Sequence, residues 1–442
     1  MKEQVDIVVV GAGMVGAALA TGLGQAGLSV VLVDRDSAPR FDAHQQPDIR
    51  VSALSAGSER YLCQLGAWDQ IKQMRATPYA RLSVWDASPY PFSALVPAGL
   101  NRTTFNAGDL GVSHLGHIVE NRITQQALWD SATAQSTVSV LANDGVVSLV
   151  NGDPLAEVTL ESGRCFDCQL VIGADGAQSR IRELAGIGTS RDQYTQQALV
   201  ASVTYRGLPE DITWQAFYPS GPRAFLPLQQ AHSGPETPES ETLQPETWAS
   251  LVWYDRPAVL EELKAMPEAE FIAAVQKAFP DDLPPLVSVA ARASFPIARQ
   301  HANRYVQNRV VLAGDAAHTI NPLAGQGVNL GFQDAECLQG LLREARRAGD
   351  DLAHPNWLAR YEQNRRPANG RMMLAMDAFY YLFSNRIPPV HLLRNLGLGL
   401  AQRLPGARNR VARYAMGLEE RSPPALQRLL GALPKPGFLN KR

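Results

Sequence analysis

Three short segments carry the residue types that nucleotide chemistry needs: Val8-Val9-Val10-Gly11-Ala12-Gly13-Met14-Val15-Gly16, Leu170-Val171-Ile172-Gly173-Ala174-Asp175-Gly176 and Val310-Val311-Leu312-Ala313-Gly314-Asp315-Ala316-Ala317-His318. Each begins as an apolar run and ends in small residues, and the last two add an aspartate. In the first, Gly11-x-Gly13-x-x-Gly16 has the spacing of a dinucleotide loop. Gly11 permits the tight turn, Gly13 lets backbone approach a pyrophosphate, and Gly16 lets helix and strand pack closely. A helix starting at Met14 and Val15 presents free N–H groups and the positive end of its dipole to phosphate oxygens. Asp34 closes the next apolar run, where a carboxylate accepts hydrogen bonds from the adenosine ribose. An acid there argues against a 2′-phosphate, and so against an NADP site.

The third segment narrows the choice of nucleotide. Gly314-Asp315 is predicted to stand at a strand end, with Asp315 either binding hydroxyls of a ribityl chain or simply capping the turn. Pro322-Leu323-Ala324-Gly325-Gln326-Gly327-Val328-Asn329 then leads into a long helix. Its exposed N–H groups suit the negative charge that collects at N1 and O2 of a reduced isoalloxazine. His318 follows the turn and reads either as a structural residue holding it or as a proton-transfer group. No other feature marks a catalytic acid or base. Cys165 and Cys168 form a C-x-x-C pair, but they sit in what reads as a hairpin, where neither a redox helix nor a second zinc-ligand pair is in place.

The elements that must position these residues follow from the pattern. Val5 to Val10 reads as a buried parallel strand, Met14 to Gln25 as a helix and Ser29 to Asp34 as a second strand, making one βαβ unit. Ala53 to Gln73 reads as helix, Leu82 to Trp85 as strand, Asn121 to Ala134 as helix, and Val138 to Val150, Ala156 to Leu160 and Leu170 to Gly173 as sheet. From about Tyr194 the texture changes to alternating apolar and polar residues with many aromatics. Ala198 to Tyr205, Thr213 to Tyr218, Ala224 to Leu228 and Trp248 to Tyr254 are predicted strands of an antiparallel sheet. Gln230 to Thr247 is rich in Pro, Glu, Ser and Thr and reads as an exposed loop. Pro257 to Phe279 reads as mostly helix, Arg309 to Gly314 as a buried strand, Gly327 to Arg346 as a long helix, and the rest from Pro355 as mainly helical.

At 442 residues the chain has room for a large core. Its 41 Lys+Arg against 43 Asp+Glu leave a net charge of −2, so no basic footprint points to nucleic acid. Four cysteines are too few for a disulfide scaffold, which suggests a reducing compartment. No run approaches the roughly 20 apolar residues of a membrane span, and the N-terminus lacks the features of a signal peptide. A cytoplasmic protein is expected.

The three segments together resemble the class A flavoprotein aromatic hydroxylases: the G-x-G-x-x-G loop, the Asp-Gly segment at Asp175-Gly176 with Arg180, and the Gly-Asp segment at Gly314-Asp315. The resemblance places Arg122, in Val119-Glu120-Asn121-Arg122, on the phosphate or flavin side of FAD. It places Arg50, in Asp48-Ile49-Arg50-Val51-Ser52-Ala53, on the segment bordering the flavin; a surface salt bridge is the alternative for both arginines. Gln46 to Ala53, Gly314 to Asn329 and Asp377-Ala378-Phe379-Tyr380 are closer still to the ubiquinone-biosynthesis hydroxylases, as are Trp214 to Phe217, Gly221 to Leu228 and Trp248 to Tyr254 in the middle of the chain. The likeness runs from Val5 to about Leu418, and the Gln230 to Thr247 loop departs from it in being longer.

That resemblance implies an α/β fold: a discontinuous Rossmann-like FAD-binding domain (1–75, 115–185 and 296–348), an inserted, mainly antiparallel substrate-binding sheet (76–114 and 186–295) and a helical C-terminal region (349–442). It implies FAD as cofactor, NAD(P)H as reductant, and O₂ added through a flavin C4a-hydroperoxide to the ring of a polyprenylated benzoquinol. Another hydroxylation in the same pathway, or a flavin reductase without oxygen insertion, is the competing reading. Phe217, Phe225, Trp253 and Tyr254 are candidate walls of the substrate pocket or plain core, since alternate strand residues point to opposite faces. A prenylated substrate further suggests peripheral contact with the inner face of a membrane, or membership of a biosynthetic complex. The leucines of Ile387 to Leu404, with Arg386, Arg394 and Arg403, are an amphipathic candidate for that contact or a helix packed on the body of the protein.

Overall fold

Ile7, Val8, Val9 and Val10 are all buried, the continuous apolar run that a strand covered on both faces requires. This strand, β1 (Glu3–Val10), organises the first sheet of the computed structural model, which describes residues 2–87, 101–230, 245–321 and 326–383, with Gly406, Asn409 and Arg413 as isolated positions. β1 pairs in parallel with β2 (Val30–Val33) on one side and β11 (Cys165–Gly173) on the other. β2 pairs in parallel with β8 (Val138–Leu141), and β11 with β18 (Val310–Leu312). The three glycine-punctuated strands β1, β11 and β18 are therefore immediate neighbours, and their C-terminal ends lie together. Antiparallel additions complete the sheet: β17 (Val306–Gln307) on β18, β10 (Ala156–Leu160) on β11 and β9 (Val146–Val150) on β10.

Small residues let α1 (Met14–Gln25) lie close to this sheet, with Gly16, Ala17, Ala18 and Ala20 all buried. It packs against α4 (Asn121–Thr133) and the long α8 (Gln326–Ala348). The second sheet runs β19 (His318–Thr319), β16 (Leu286–Ala302), β12 (Thr189–Arg206), β15 (Glu246–Asp255), β14 (Gly221–Gln230), β13 (Ile212–Tyr218), β5 (Arg81–Asp86) and β6 (Arg102–Asn106). All its pairings are antiparallel except β13 with β5. One face is covered by α6 (Pro257–Ala265) and α7 (Glu268–Ala278), whose Leu260, Leu263, Phe271 and Val275 join its core. A third sheet, β3 (Val51–Ser55), β7 (Gly116–Glu120) and β4 (Thr77–Tyr79), adjoins α2 (Ala56–Gln64). The remaining helices are α3 (Trp68–Met74), α5 (Arg180–Leu184) and α9 (Pro355–Phe383).

Three sequence expectations change. The helix expected over Ala53 to Gln73 begins as strand β3 and then splits into α2 and α3 around Gly66, whose φ of +77° a helix cannot accommodate. The strand β16 continues past the boundary expected at 295/296 to Ala302, so that stretch and β19 belong to the second sheet. β4, expected in the substrate domain, pairs with β7 in the third sheet. Between Gln230 and Glu246 the loop residues 231–244 lie outside the described residues, as does the leucine-rich stretch at 387–404. Cys165 and Cys168 are free cysteines on β11, which forms a hairpin with β10, and burial pushes the Cys168 thiol up to about 12. Among the described residues no helix is long and apolar enough to cross a membrane.

Candidate active site

The first glycine turn is held from three sides. Gly11 has φ +97°, and its N–H donates to the Val33 carbonyl at 2.8 Å. Asp34 accepts from the Ala12 N–H, and Gln125 of α4 donates its side-chain amide to the Ala12 carbonyl at 3.0 Å. A Cβ on Gly16 would stand 1.8 Å from the Gly11 carbonyl oxygen, whereas one on Gly13 would meet nothing within 4 Å. Gly16 is thus required by packing, and Gly13 borders open space. The first turn of α1 carries neither a side-chain cap nor an acid, which leaves its N–H groups for an anion. Asp34 also accepts from the Asp36 N–H at 2.9 Å; a carboxylate has about four acceptor sites, so both contacts leave capacity for ribose hydroxyls.

The second segment touches the first directly, since a Cβ on Gly11 would stand 2.7 Å from the Asp175 Cα. One Asp175 oxygen accepts from the Ile181 N–H at 3.0 Å; the other is buried without a partner. Gly176, at φ +81°, again faces open space. Arg180, matched by the family resemblance, forms an exposed pair with Glu183 at 2.9 Å. The bridging arginine is Arg182, which donates to the Ala316 carbonyl at 2.8 Å and the Ala177 carbonyl at 2.9 Å, and so ties the second segment to the third.

In the third segment Gly314 adopts φ +59° in a 3₁₀ turn, and Val15 fills the space beside it. The Gly314 N–H donates to Asp334 of α8 at 3.2 Å. The same buried carboxylate receives His318 Nε2, Arg365 Nε at 2.7 Å and the Asn369 amide at 2.9 Å. Burial alone would raise the Asp334 pKa, but His318 and Arg365 outweigh it and hold the carboxyl well below its usual range. His318 is 1 % exposed and stacks on Tyr305, so its imidazole is committed to Asp334 beneath the turn. This geometry suits the structural reading of His318, as a residue that holds the turn.

Asp315 points the other way. It is exposed to solvent, yet surrounding protein pushes its pKa up, with His318 and Arg50 opposing the rise. A side chain both accessible and densely surrounded lies in a cleft. Arg50 is itself exposed and near enough for its charge to act on Asp315. Arg122 is engaged instead with protein: Nε donates to Glu120 and Nη2 to the Gln46 carbonyl, both at 2.9 Å. Asn329 spends both ends of its carboxamide on the chain. It accepts from the Ser55 N–H at 2.9 Å and from Ser58 at 2.7 Å, and donates to the Ala53 carbonyl at 2.8 Å, stitching α8 to β3 and α2. Gly327 meets open space and Val328 packs against the core; Gln326 begins α8, while Pro322 and Gly325 lie outside the described residues.

The aromatic candidates divide by strand parity. Phe225 and Trp253 pack with Trp214, Leu251 and the helices α6 and α7, which makes them core residues behind the sheet and corrects their expected place in the pocket. Phe217 and Tyr254 lie on the opposite face with Ile297, Tyr380 and Phe383, and the Tyr254 hydroxyl donates to Asn321 at 3.4 Å. On this face Ser202 and Ser250 are register partners, and both hydroxyls are buried without a hydrogen-bond partner. A cavity of about 250 Å³ opens nearby between the second and third sheets, lined by residues including Gln46, Pro47, Arg75, Thr77, Glu120 and Trp248. None of the four aromatic candidates lines it.

Gln125, Arg182 and Asp334 escaped the sequence reading. Only Asp334 left a signal: it stands four residues from both Leu330 and Leu338, on the buried stripe of α8, where an acid needs an ionic partner.

The chemistry of this donor set fits FAD: open backbone at Gly13 and Gly176, an uncapped helix N-terminus, a buried unpartnered Asp175 oxygen, and Asp315 in a cleft. The model of the FAD binding domain family matches residues 4–375, and the chain belongs to that family, as a flavoprotein monooxygenase with the class A hydroxylase fold. More particularly, the chain is 42% identical over 417 residues to 3-demethoxyubiquinol 3-hydroxylase of Escherichia coli (strain K12), covering 94% of this chain and 100% of that protein. It is 34% identical to the mitochondrial ubiquinone biosynthesis monooxygenase COQ6 of Xenopus tropicalis, covering 93% of each. Among solved structures it is similar to p-nitrophenol 4-monooxygenase PnpA from Pseudomonas putida DLL-E4, with a TM-score of 0.71 at 18% identity, over 95% of this chain and 98% of that one.

Proposed function

We propose that this protein hydroxylates the ring of a polyprenylated benzoquinol in ubiquinone biosynthesis, with 3-demethoxyubiquinol as the preferred substrate. The observation that carries the reading is the 42% identity extending over the full length of a 3-demethoxyubiquinol 3-hydroxylase, with the three cofactor segments meeting at one end of one sheet. FAD, when bound, supplies electrons taken from NAD(P)H and the activation of O₂. The chain's own residues do the rest. The first turn of α1 offers N–H groups to the phosphates, Asp34 accepts from the ribose, and Asp315, in its cleft, accepts from the ribityl hydroxyls.

Phe217 and Tyr254 present an apolar wall, and burial keeps the Tyr254 hydroxyl protonated by pushing its pKa up. The unpartnered Ser202 and Ser250 hydroxyls on that face suit the oxygens of a quinol ring. Excluding water there protects the reacting oxygen from loss to solvent. A quinol already carries activating hydroxyls, which agrees with the burial of His318 against Asp334. The prenyl tail of such a substrate is reached either by peripheral contact with a membrane surface or through a biosynthetic complex.

The test feeds purified protein NADH or NADPH with quinols representing the successive pathway steps under ¹⁸O₂. One labelled hydroxyl on the demethoxy substrate is expected. Labelled product from a different quinol moves the enzyme to another step, and product lacking label removes the monooxygenase altogether.

A further inference from the structure

Away from the nucleotide cleft, three potential ligands converge: Glu59 on α2, His114 in the loop before β7, and His117 on β7. Nε2 of His114 lies 2.7 Å from one carboxylate oxygen of Glu59, and Nδ1 of His117 lies 3.3 Å from the same oxygen. All three donor atoms stand within 4.8 Å of one another. The first contact is a short hydrogen bond, and the second is a longer ion-pair contact. His117 is 7 % exposed, and its Nδ1 is buried with no hydrogen-bond partner, although it faces the carboxylate. A proton shared with Glu59 is therefore well placed at His114 and poorly placed at His117.

A divalent cation satisfies all three at once. Neutral imidazole nitrogen and carboxylate oxygen bind Zn²⁺ at about 2.0–2.2 Å, and two ligands at tetrahedral corners of such an ion stand about 3.3 Å apart. The outer contacts suit this arrangement. His114 Nδ1 hydrogen-bonds with the Ser113 hydroxyl at 2.9 Å, the outer contact that the non-ligating nitrogen of a metal-binding histidine usually makes, and this leaves Nε2 facing Glu59 and the proposed ion. The His117 ring sits edge-on between Trp68, at 4.9 Å between centroids, and His114, at 4.5 Å. The His114 side chain remains 25% exposed, which leaves a fourth position to water.

We propose that Glu59, His114 and His117 bind a transition-metal dication, Zn²⁺ foremost, which fastens α2 to β7. Since Ser55, which caps α2, and Ser58 in its first turn hold Asn329 of α8, the ion braces the layer that α2 shares with α8. The test uses tag-free, FAD-loaded protein freed of metal with a chelator and titrated calorimetrically with ZnCl₂. One equivalent should bind, Tm should rise, and EDTA should reverse both; Co²⁺ should give the visible bands of a four-coordinate ion. Glu59→Gln keeps an acceptor for His114 but removes the ligand charge, and should weaken Zn²⁺ binding at least about tenfold. His117→Ala should abolish it. Flavin content and metal-free Tm show that each variant is folded. Wild-type protein without saturable binding near one equivalent overturns the proposal, as does full Zn²⁺ affinity in the folded Glu59→Gln protein.

Discussion

At Asp315, solvent access and dense surroundings coexist because the side chain lines a cleft that the backbone turn opens. The fold disfavours its ionised form, so the carboxylate is kept at a cost to the apoprotein. Asp315→Ala should leave apoprotein stability within about 0.5 kcal/mol, or raise it. The same change should weaken FAD binding about tenfold or more, the worth of a charged hydrogen bond. Flavin absorbance after gel filtration, beside the apoprotein Tm, measures both; full flavin retention would remove the ribityl assignment. Nearby, burial pushes His301 down to about 4, and His318 adds to the shift. The unfolded chain, with an ordinary histidine near 6.5, then takes up a proton before the native state does. Stability from this group is complete above that pH and is lost as pH falls toward 4. After discounting for solvent screening the loss is about 1–2 kcal/mol. Denaturant unfolding at neutral and mildly acidic pH should show it in the wild type, and His301→Gln should flatten the slope.

Among the elements, α1 separates two uses of glycine that the motif runs together. Gly16→Ala places a methyl against the Gly11 carbonyl and should cost about 3 kcal/mol or more, read as insoluble or destabilised protein. Gly13→Ala meets no protein atom, and at φ −64° it strains nothing, so the variant should fold normally while losing most of its flavin. A Gly13→Ala protein as yellow as the wild type would mean that the pyrophosphate lies elsewhere. The helix limits Met14 to Gln25 were legible because glycine turn, small-residue face and preceding apolar strand are all local signals. The pocket walls were not. Which of Phe217, Phe225, Trp253 and Tyr254 share a face depends on the pairing Trp214 with Phe225 and Arg223 with Trp253, a register set by contacts far apart in sequence. The length of β16 was equally hidden, because much of it is half-exposed and shows no clean alternation.

At the scale of the whole molecule, the discontinuous α/β frame was readable from the spacing of its glycine segments, since each announces a strand end by itself. Their adjacency was an inference from the cofactor, and the sheet order β18-β11-β1-β2-β8 supplies its geometry. What no local pattern contained is the joint between the layers: the chain leaves the Gly314 turn and enters the second sheet at once, pairing His318 with His301. Arg182, Gln300 and Asp334 reinforce that joint through hydrogen bonds whose partners lie in other segments. The strand order also has a consequence for biosynthesis. While a ribosome is still making the second sheet, β1 and β11 have already emerged, but the edge of β11 that β18 will occupy has no partner. The nascent chain thus holds an open, apolar parallel edge, and it lacks the contact proposed for Asp315 until that residue and the helix behind it have been translated. On the ribityl role proposed for Asp315, cofactor loading should be a late event, and a chain truncated before Asp315 should keep its glycine turn yet retain no FAD on gel filtration.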